Sequence, residues 1–398
     1  MAEVRSRGAG QMTVAGRPTI APDRYRARLD RAAQATADKG FDAVLVAVGP
    51  DLRYLTGYEA MPLERLTMLV VGPDPERIVL VVPRLEEPAA RVGCRPDVRI
   101  VTWEESDDPH GLVAGLVSGR PVSDGPLRLA VSDQLMAMHL LRLQRALPGA
   151  TFESATIVLR ELRMTKDPDE IALLRAAAHA ADRVVGQIAA GRLVGRREAD
   201  VAREVRERLI AEGHDEAHFA IVGSGPNSAS PHHEASDRVI EAGEPIVLDI
   251  GGTIGGYSSD TTRMLWVTGG DPGKGPTEEF RHLFGVLRAA QERATRAVRP
   301  GVACEAIDAA ARDVIESEGY GQAFFHRTGH GIGLEGHEEP YIIAGNHEPL
   351  APGMAFSIEP GIYLSGRYGA RIEDIVVCGP DGPDVLNESS RELYVVDG

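Results

Sequence analysis

The stretch PIVLDIGGTIGGYSSDTTRMLWV, residues 245–267, reads as two apolar strands joined by the glycine turn Gly251-Gly252-Thr253-Ile254-Gly255-Gly256. Each strand carries an aspartate, Asp249 or Asp260, inside a run that otherwise belongs in a core. A hairpin symmetric about the 254/255 bond sets these two face to face, at about 4.5–5.5 Å between Cβ atoms, where like charges are destabilising. A cation between them reverses that sign.

Working outward, GMAFSIEPGIYLSGRYGARIEDIVVC, residues 353–378, repeats the arrangement: two apolar runs about a Gly/Ser turn, with Glu359 in the first and Glu373 in the second. An ionised carboxylate in an apolar interior is strongly penalised unless it is paired or bound to metal. Between these segments lies HRTGHGIGLEGHEEP, residues 326–340, with His326, His330 and His337 spaced by four and then seven. That spacing suits one face of a helix, but Gly329, Gly331, Gly333 and Gly336 interrupt it, each costing a helix about 1 kcal/mol relative to alanine. The glycines instead let the backbone approach closely and aim His330 inward. Four carboxylates and an imidazole are mainly hard ligands, suited to manganese or a similar divalent ion. So much negative charge fits two cations, which together activate a water for hydrolysis.

The remainder of the chain frames this set. A length of 398 residues suggests two domains. The first half alternates a helical pattern at 24–39 with strand-length apolar runs at 42–48, 67–71, 77–82, 98–103 and 128–131 and a helical stretch around 134–146, as an α/β domain does. Asp167-Pro168-Asp169-Glu170 has the N-cap, N1 and N3 residues of a long helix at the domain junction. A second helix is expected over 196–213, closed by Gly213. A net charge of -16 with no basic stripe argues against nucleic acid, and no run of 18 apolar residues indicates a membrane span. Residues 1–21 have no apolar h-region and are expected to be a flexible tail. Cys94, Cys304 and Cys378 read as reduced, buried cysteines of a cytoplasmic protein.

Taken with their contexts, these segments resemble the metallopeptidase family of aminopeptidase P, prolidase (Xaa-Pro dipeptidase) and methionine aminopeptidase. The resemblance implies a mixed α/β (α+β) fold: a smaller creatinase-type N-terminal domain over 22–160, including DLRYLTGY at 51–58, and a "pita-bread" metallopeptidase domain over 161–398. It implies that Asp249 binds one metal, that Asp260 and Glu373 bridge both, and that His330 and Glu359 complete the other. Glu359 is also expected to shuttle the proton, and His337 to hydrogen-bond the scissile carbonyl. His232, in SGPNSASPHHEASDR, matches a substrate-side histidine, His326 the proline side, and Arg371 the substrate end, where it can meet a carboxylate. Glu335-Gly336 departs from the aspartate and aliphatic residue common in the family.

The implied activity is hydrolysis of the bond preceding proline in dipeptides or short peptides, by a hydroxide bridging two divalent ions. Manganese is the first choice, with cobalt and zinc as alternatives, and a homodimer is expected. A creatinase-like hydrolase or lyase and a methionine aminopeptidase are the alternatives, although the N-terminal domain and the ARIED context of Glu373 favour the proline branch. A binding protein that has lost catalysis is disfavoured, because no expected ligand is replaced. The remaining histidines, His110, His139, His179, His214, His218, His282 and His347, are read as ordinary surface or core residues. His233 is given neighbour status, and Thr262 and Arg263 are read as supports of Asp260 or as residues of an exposed strand end.

Overall fold

The computed structural model describes residues 16–119 and 125–397. The five expected strands of the first half, joined by an unexpected one at Thr151–Ser154, form a mixed six-stranded sheet in the order Arg99–Trp103, Val79–Pro83, Met68–Val71, Ala43–Ala47, Arg128–Val131, Thr151–Ser154. Alternate residues divide between its faces: Val44, Val46, Leu69 and Val71 join one apolar cluster, while Ala43, Leu45, Met68 and Val70 join the other. Helices cover both faces, so these central strands read as unbroken apolar runs. Helices the sequence reading did not specify, Pro50–Thr56, Pro109–Ser118 and Thr156–Met164, complete the layer structure.

At the junction, Asp167 caps the helix Pro168–Ala189. Its Oδ1 accepts from the Asp169 and Glu170 N–H groups, each at 3.0 Å, and Glu170 accepts in return from the Asp167 N–H at 2.9 Å. The expected capping box is therefore present. It also receives the N-terminal domain: Arg28, buried on the helix Pro22–Asp38, lies 3.1 Å from Asp167 and 3.3 Å from Glu170. The following helix, Glu198–Ala211, ends before Gly213, whose φ is +109°. Residues 1–15 of the expected tail lie outside the described residues. Near its end Arg17 pairs with Asp215, and the Ala21 N–H meets Asp169.

The second half has the two-lobed pita-bread form, with a helix pair and a mainly antiparallel sheet in each lobe; Tyr394–Val396 alone joins its sheet in parallel among the described strands of this half. Pro168–Ala189 and Glu198–Ala211 accompany the sheet of Tyr394–Val396, Thr261–Val267, Glu244–Ile254 and Glu216–Ser224. Glu278–Ala297 and Cys304–Ser317 accompany Glu338–Ile342, Gly329–Gly331, Ala355–Ile358, Asp374–Cys378 and Pro383–Val385. Each sheet brings one carboxylate-bearing hairpin to the space between the lobes.

The first hairpin has a register different from the expected one. Ile254 pairs with Tyr257 and Asp249 with Thr262, so Asp260 stands diagonal to Asp249 rather than opposite it. The cause is the turn. Gly255 and Gly256 have φ of +61° and +85°, forming a two-residue loop of the type that matches strand twist, and this moves the hairpin centre one residue along the chain. Both aspartates still share a face, because positions two apart on a strand do.

A β-branched residue is strained at that backbone conformation, whereas asparagine tolerates it. Gly256→Val is expected to destabilise the protein by about 1–2 kcal/mol and Gly256→Asn by less, as read from urea unfolding midpoints. Equal losses would assign the effect instead to the Arg53 side chain, which lies 2.2 Å from where a Cβ would stand.

Candidate metal centre

The second hairpin is built around an interruption. Ile358 pairs with Asp374 on one side and Gly361 with Arg371 on the other, in one register that sets Glu359 across from Glu373. Neither glutamate lies in a strand, and Pro360 has no N–H for a ladder. Their own N–H groups cross to other elements: Glu359 donates to the Thr328 carbonyl at 2.8 Å, and Glu373 to the Thr262 carbonyl at 3.2 Å. The break thus ties the hairpin both to the histidine segment and to the first hairpin.

His330 sits in the short strand Gly329–Gly331, not on a helix. A Cβ on Gly329 would stand 1.9 Å from the Ser357 carbonyl oxygen, and one on Gly331 would stand 2.3 Å from that of Glu339. Only glycines admit neighbouring strands so close on both sides of the imidazole. Its Nδ1 donates to the Gly331 carbonyl at 3.1 Å, so Nε2 is the nitrogen that faces Glu359 at 3.1 Å and Asp260 at 3.7 Å, a donor to Glu359 when protonated and a free lone pair for a cation when not.

The five expected ligands converge. Oxygens of Asp249, Asp260 and Glu373 lie within 4.8 Å of one another, as do ligand atoms of His330, Glu359 and Glu373, and of Asp260, His330 and His337. The triplets share members, so they form one continuous cluster, in which His337 also takes part. Asp249, Asp260, His330 and Glu373 are each less than a tenth exposed.

Burial pushes the Asp260 carboxyl well above its ordinary range, and Asp249 beside it adds to the effect. Glu373 is raised in the same way by burial and by Asp260, Glu359 and Asp249. Burial raises Asp249 too, against the opposing Arg371 guanidinium. Glu359 moves the other way. Burial opposes its ionisation, but the hydrogen bond and charge of His330 bring it down to about 2.

Cation compensation is incomplete among the protein's own groups. Arg371 pairs with Asp249, donates to the Tyr363 hydroxyl at 2.8 Å and meets Thr262 at 3.1 Å; Thr262 in turn donates to Glu373 at 2.7 Å. Arg263 is spent behind the site on the Glu373 carbonyl at 2.5 Å and on Asp374 at 2.7 Å. Asp249 Oδ1 and Glu373 Oε1 remain buried with no hydrogen-bond partner among the described residues. Orphaned carboxylate oxygens amid hard donors are what divalent cations would satisfy, so this residue set fits them.

The expected substrate-side residues ring the cluster. His337 is exposed, its ring 3.8 Å from that of His330, and Arg327 donates to its Nδ1 at 3.0 Å, which puts the ring proton on Nε2. Burial, His330 and Arg327 lower its pKa to about 4, so it is neutral at pH 7. His326 Nδ1 donates to the Arg327 carbonyl at 2.7 Å, and its Nε2 accepts from Tyr363 at 3.1 Å. Phe325 and Tyr363 complete an aromatic wall beside it. His232 is exposed on the segment between Gly225–Ala229 and Glu244, whose Pro231 carbonyl meets Arg371 at 3.3 Å. Its neighbour His233 is bound to buried Glu198 at 2.8 Å.

Arg327 and Tyr363 were not singled out from the sequence. Their signals, a cation between two histidines and a tyrosine four residues after Glu359, are weak without the fold. His214, read as an ordinary core residue, is buried with Nε2 2.9 Å from Ser259.

Two family profiles match the chain: Metallopeptidase family M24 over residues 172–380 and the Creatinase/Prolidase N-terminal domain over residues 28–165. The chain is 48% identical to a probable dipeptidase PepE of Mycobacterium tuberculosis, over 94% of this chain and 96% of that protein. It is 33% identical to a Xaa-Pro dipeptidase of Lactobacillus helveticus, over 92% and 98%. The crystal structure of dipeptidase PepE from Mycobacterium ulcerans superposes with a TM-score of 0.88 at 45% identity, covering 95% of this chain and 99% of that one.

The raised carboxyls predict proton linkage. Burial and mutual repulsion favour the protonated forms of Asp260 and Glu373 in the metal-free site, and a bound divalent cation favours their ionised forms. Calorimetric titration of the metal-free protein with manganese at pH 7, in buffers of different ionisation enthalpy, should show net proton release and an affinity that rises with pH. Proton uptake, or an affinity independent of pH, would contradict this electrostatic picture.

Proposed function

Because the chain belongs to metallopeptidase family M24, we propose that it hydrolyses the peptide bond preceding proline in Xaa-Pro dipeptides or short Xaa-Pro peptides. The observation that carries this is the convergence of Asp249, Asp260, His330, Glu359 and Glu373 beside a histidine and aromatic wall. It is supported by relatives called Xaa-Pro dipeptidase that align over nearly the whole chain. Held by these five residues, two divalent cations, manganese in our reading, would supply an activated water and polarise the scissile carbonyl.

The protein groups do the rest. Glu359 takes a proton from the attacking water and delivers it to the departing proline nitrogen. His337, neutral with its proton on Nε2, donates to the carbonyl oxygen as negative charge develops there. His326 and Tyr363, linked by their hydrogen bond with their rings tilted by 51°, offer an aromatic wall to the proline ring, and exposed Phe325 extends it. His232 lies on the other side of the opening and is assigned to the substrate residue before proline.

Arg371 reaches the site through Asp249. We assign it first to holding that ligand, and through Tyr363 to the proline end. We further propose a homodimer working in the cytoplasm; no helix among the described residues is long and apolar enough to cross a membrane.

Manganese-loaded protein should turn over a Xaa-Pro dipeptide in preference to a methionyl peptide, and chelation should abolish turnover. A Xaa-Pro-Xaa tripeptide in the same assay reports the length preference. Preference for the methionyl peptide, or full activity after chelation, would overturn the assignment. Glu359→Gln should lower kcat by about 10²-fold or more while elemental analysis shows manganese still bound. Unchanged kcat would remove Glu359 as the proton carrier.

A further inference from the structure

His337 owes its position to groups far from it in sequence. It is flanked by Glu335 and Glu338, and both side chains are gripped from the N-terminal side. Arg163, on the last helix of the N-terminal domain, Thr156–Met164, donates through Nη2 to Glu335 at 2.7 Å and to Glu338, and through Nη1 to Asp51 at 2.8 Å. Gln134 donates to Glu335 at 2.5 Å, and buried Lys166 to Glu338 at 2.5 Å. Asp51 and Gln134 belong to the six-stranded-sheet domain, while Glu335 and Glu338 belong to the segment that carries His330 and His337.

Packing alone does not hold this segment. A cavity of about 330 Å³ lies between the domains, lined by Gly49, Gln134, Arg160, Arg163, Glu335 and His337 among others. Leu334 packs into the apolar clusters on either side, and past it, beside the cavity, the polar latch sets the loop. The Arg163 side chain is 12% exposed and serves three carboxylates at once, a task suited to a planar guanidinium and not to the point charge of lysine. Glu335 is also the residue that departs from the family's usual aspartate, and the added methylene extends its reach toward Arg163 and Gln134.

We propose that Arg163, acting through Glu335 and Glu338, is a positioning residue for His337, so that the N-terminal domain governs turnover at the metal centre by fixing the oxyanion donor. This rests on the reading of His337 given above. A displaced donor stabilises developing charge less, and a shift near 1 Å can cost as much as about 10²-fold in rate.

The test is a double-mutant cycle on the manganese-loaded full chain with a Xaa-Pro dipeptide. Arg163→Lys keeps the charge, and Glu335→Gln alters a partly exposed partner, so neither threatens the fold as loss of the whole side chain would. Each should lower kcat by about tenfold, with smaller change in KM and with manganese content unchanged. On a His337→Ala background the same substitutions should alter kcat by less than about twofold, because the group they position is gone. Parental kcat in both single variants, losses repeated in full on the His337→Ala background, or losses that follow manganese content would each overturn the proposal. Full turnover in His337→Ala alone would remove the His337 reading and the latch with it, whereas loss there but none in Glu335→Gln or Arg163→Lys would sink the latch alone.

Discussion

Four carboxylates held within a few ångströms of one another, in a space nearly closed to water, are the constraint on which the catalytic domain is organised. Their mutual repulsion and their desolvation both oppose ionisation, and the pKa directions of Asp260 and Glu373 follow from that. The protein compensates in part. Arg371 answers Asp249, and His330 answers Glu359. What remains is charge and lone pairs without partners among the described residues, which is the condition a cation site must present before it is filled.

Much local architecture serves this convergence. The second hairpin gives up its ladder at Glu359 and Glu373, and their N–H groups cross to Thr328 and Thr262, so that three separated segments share one hydrogen-bonded frame. Behind it, Arg263 neutralises Asp374 and holds the Glu373 carbonyl, fixing the ligand from the rear. In front, the chain Arg371, Tyr363, His326 links a metal-side aspartate to the aromatic wall. Charge compensation and substrate shape are therefore not separate features of the cleft.

The parts legible in the sequence were those with short-range causes. The capping box at Asp167, the glycine-broken histidine segment and the two carboxylate-bearing hairpins all announce themselves within a few residues. The register of the first hairpin did not, because a six-residue stretch rich in glycine permits several turn centres and only the backbone angles of Gly255 and Gly256 select one. The reach of Arg163 to Glu335, and of Arg28 to Asp167, was hidden for another reason. Such pairs span 172 and 139 residues of chain and are decided by how the two domains dock, which no local pattern encodes. The identity of Asp249, Asp260, His330, Glu359 and Glu373 as a candidate set was readable; the Ser357 hydroxyl that accepts from the His330 N–H and donates to Glu359 was not, nor were Arg327 and Tyr363, which hold His337, His326 and Arg371.

Convergence of two hairpins and one glycine-flanked strand on a pair of cations is tested most directly by electron paramagnetic resonance of the metal-free protein titrated with manganese. The structure predicts that, as the second equivalent binds, the hyperfine pattern of isolated ions gives way to the spectrum of a spin-coupled pair. Two equivalents bound with the isolated-ion spectrum retained throughout would contradict it, because two ions held in common by Asp260 and Glu373, as we propose, would be magnetically coupled.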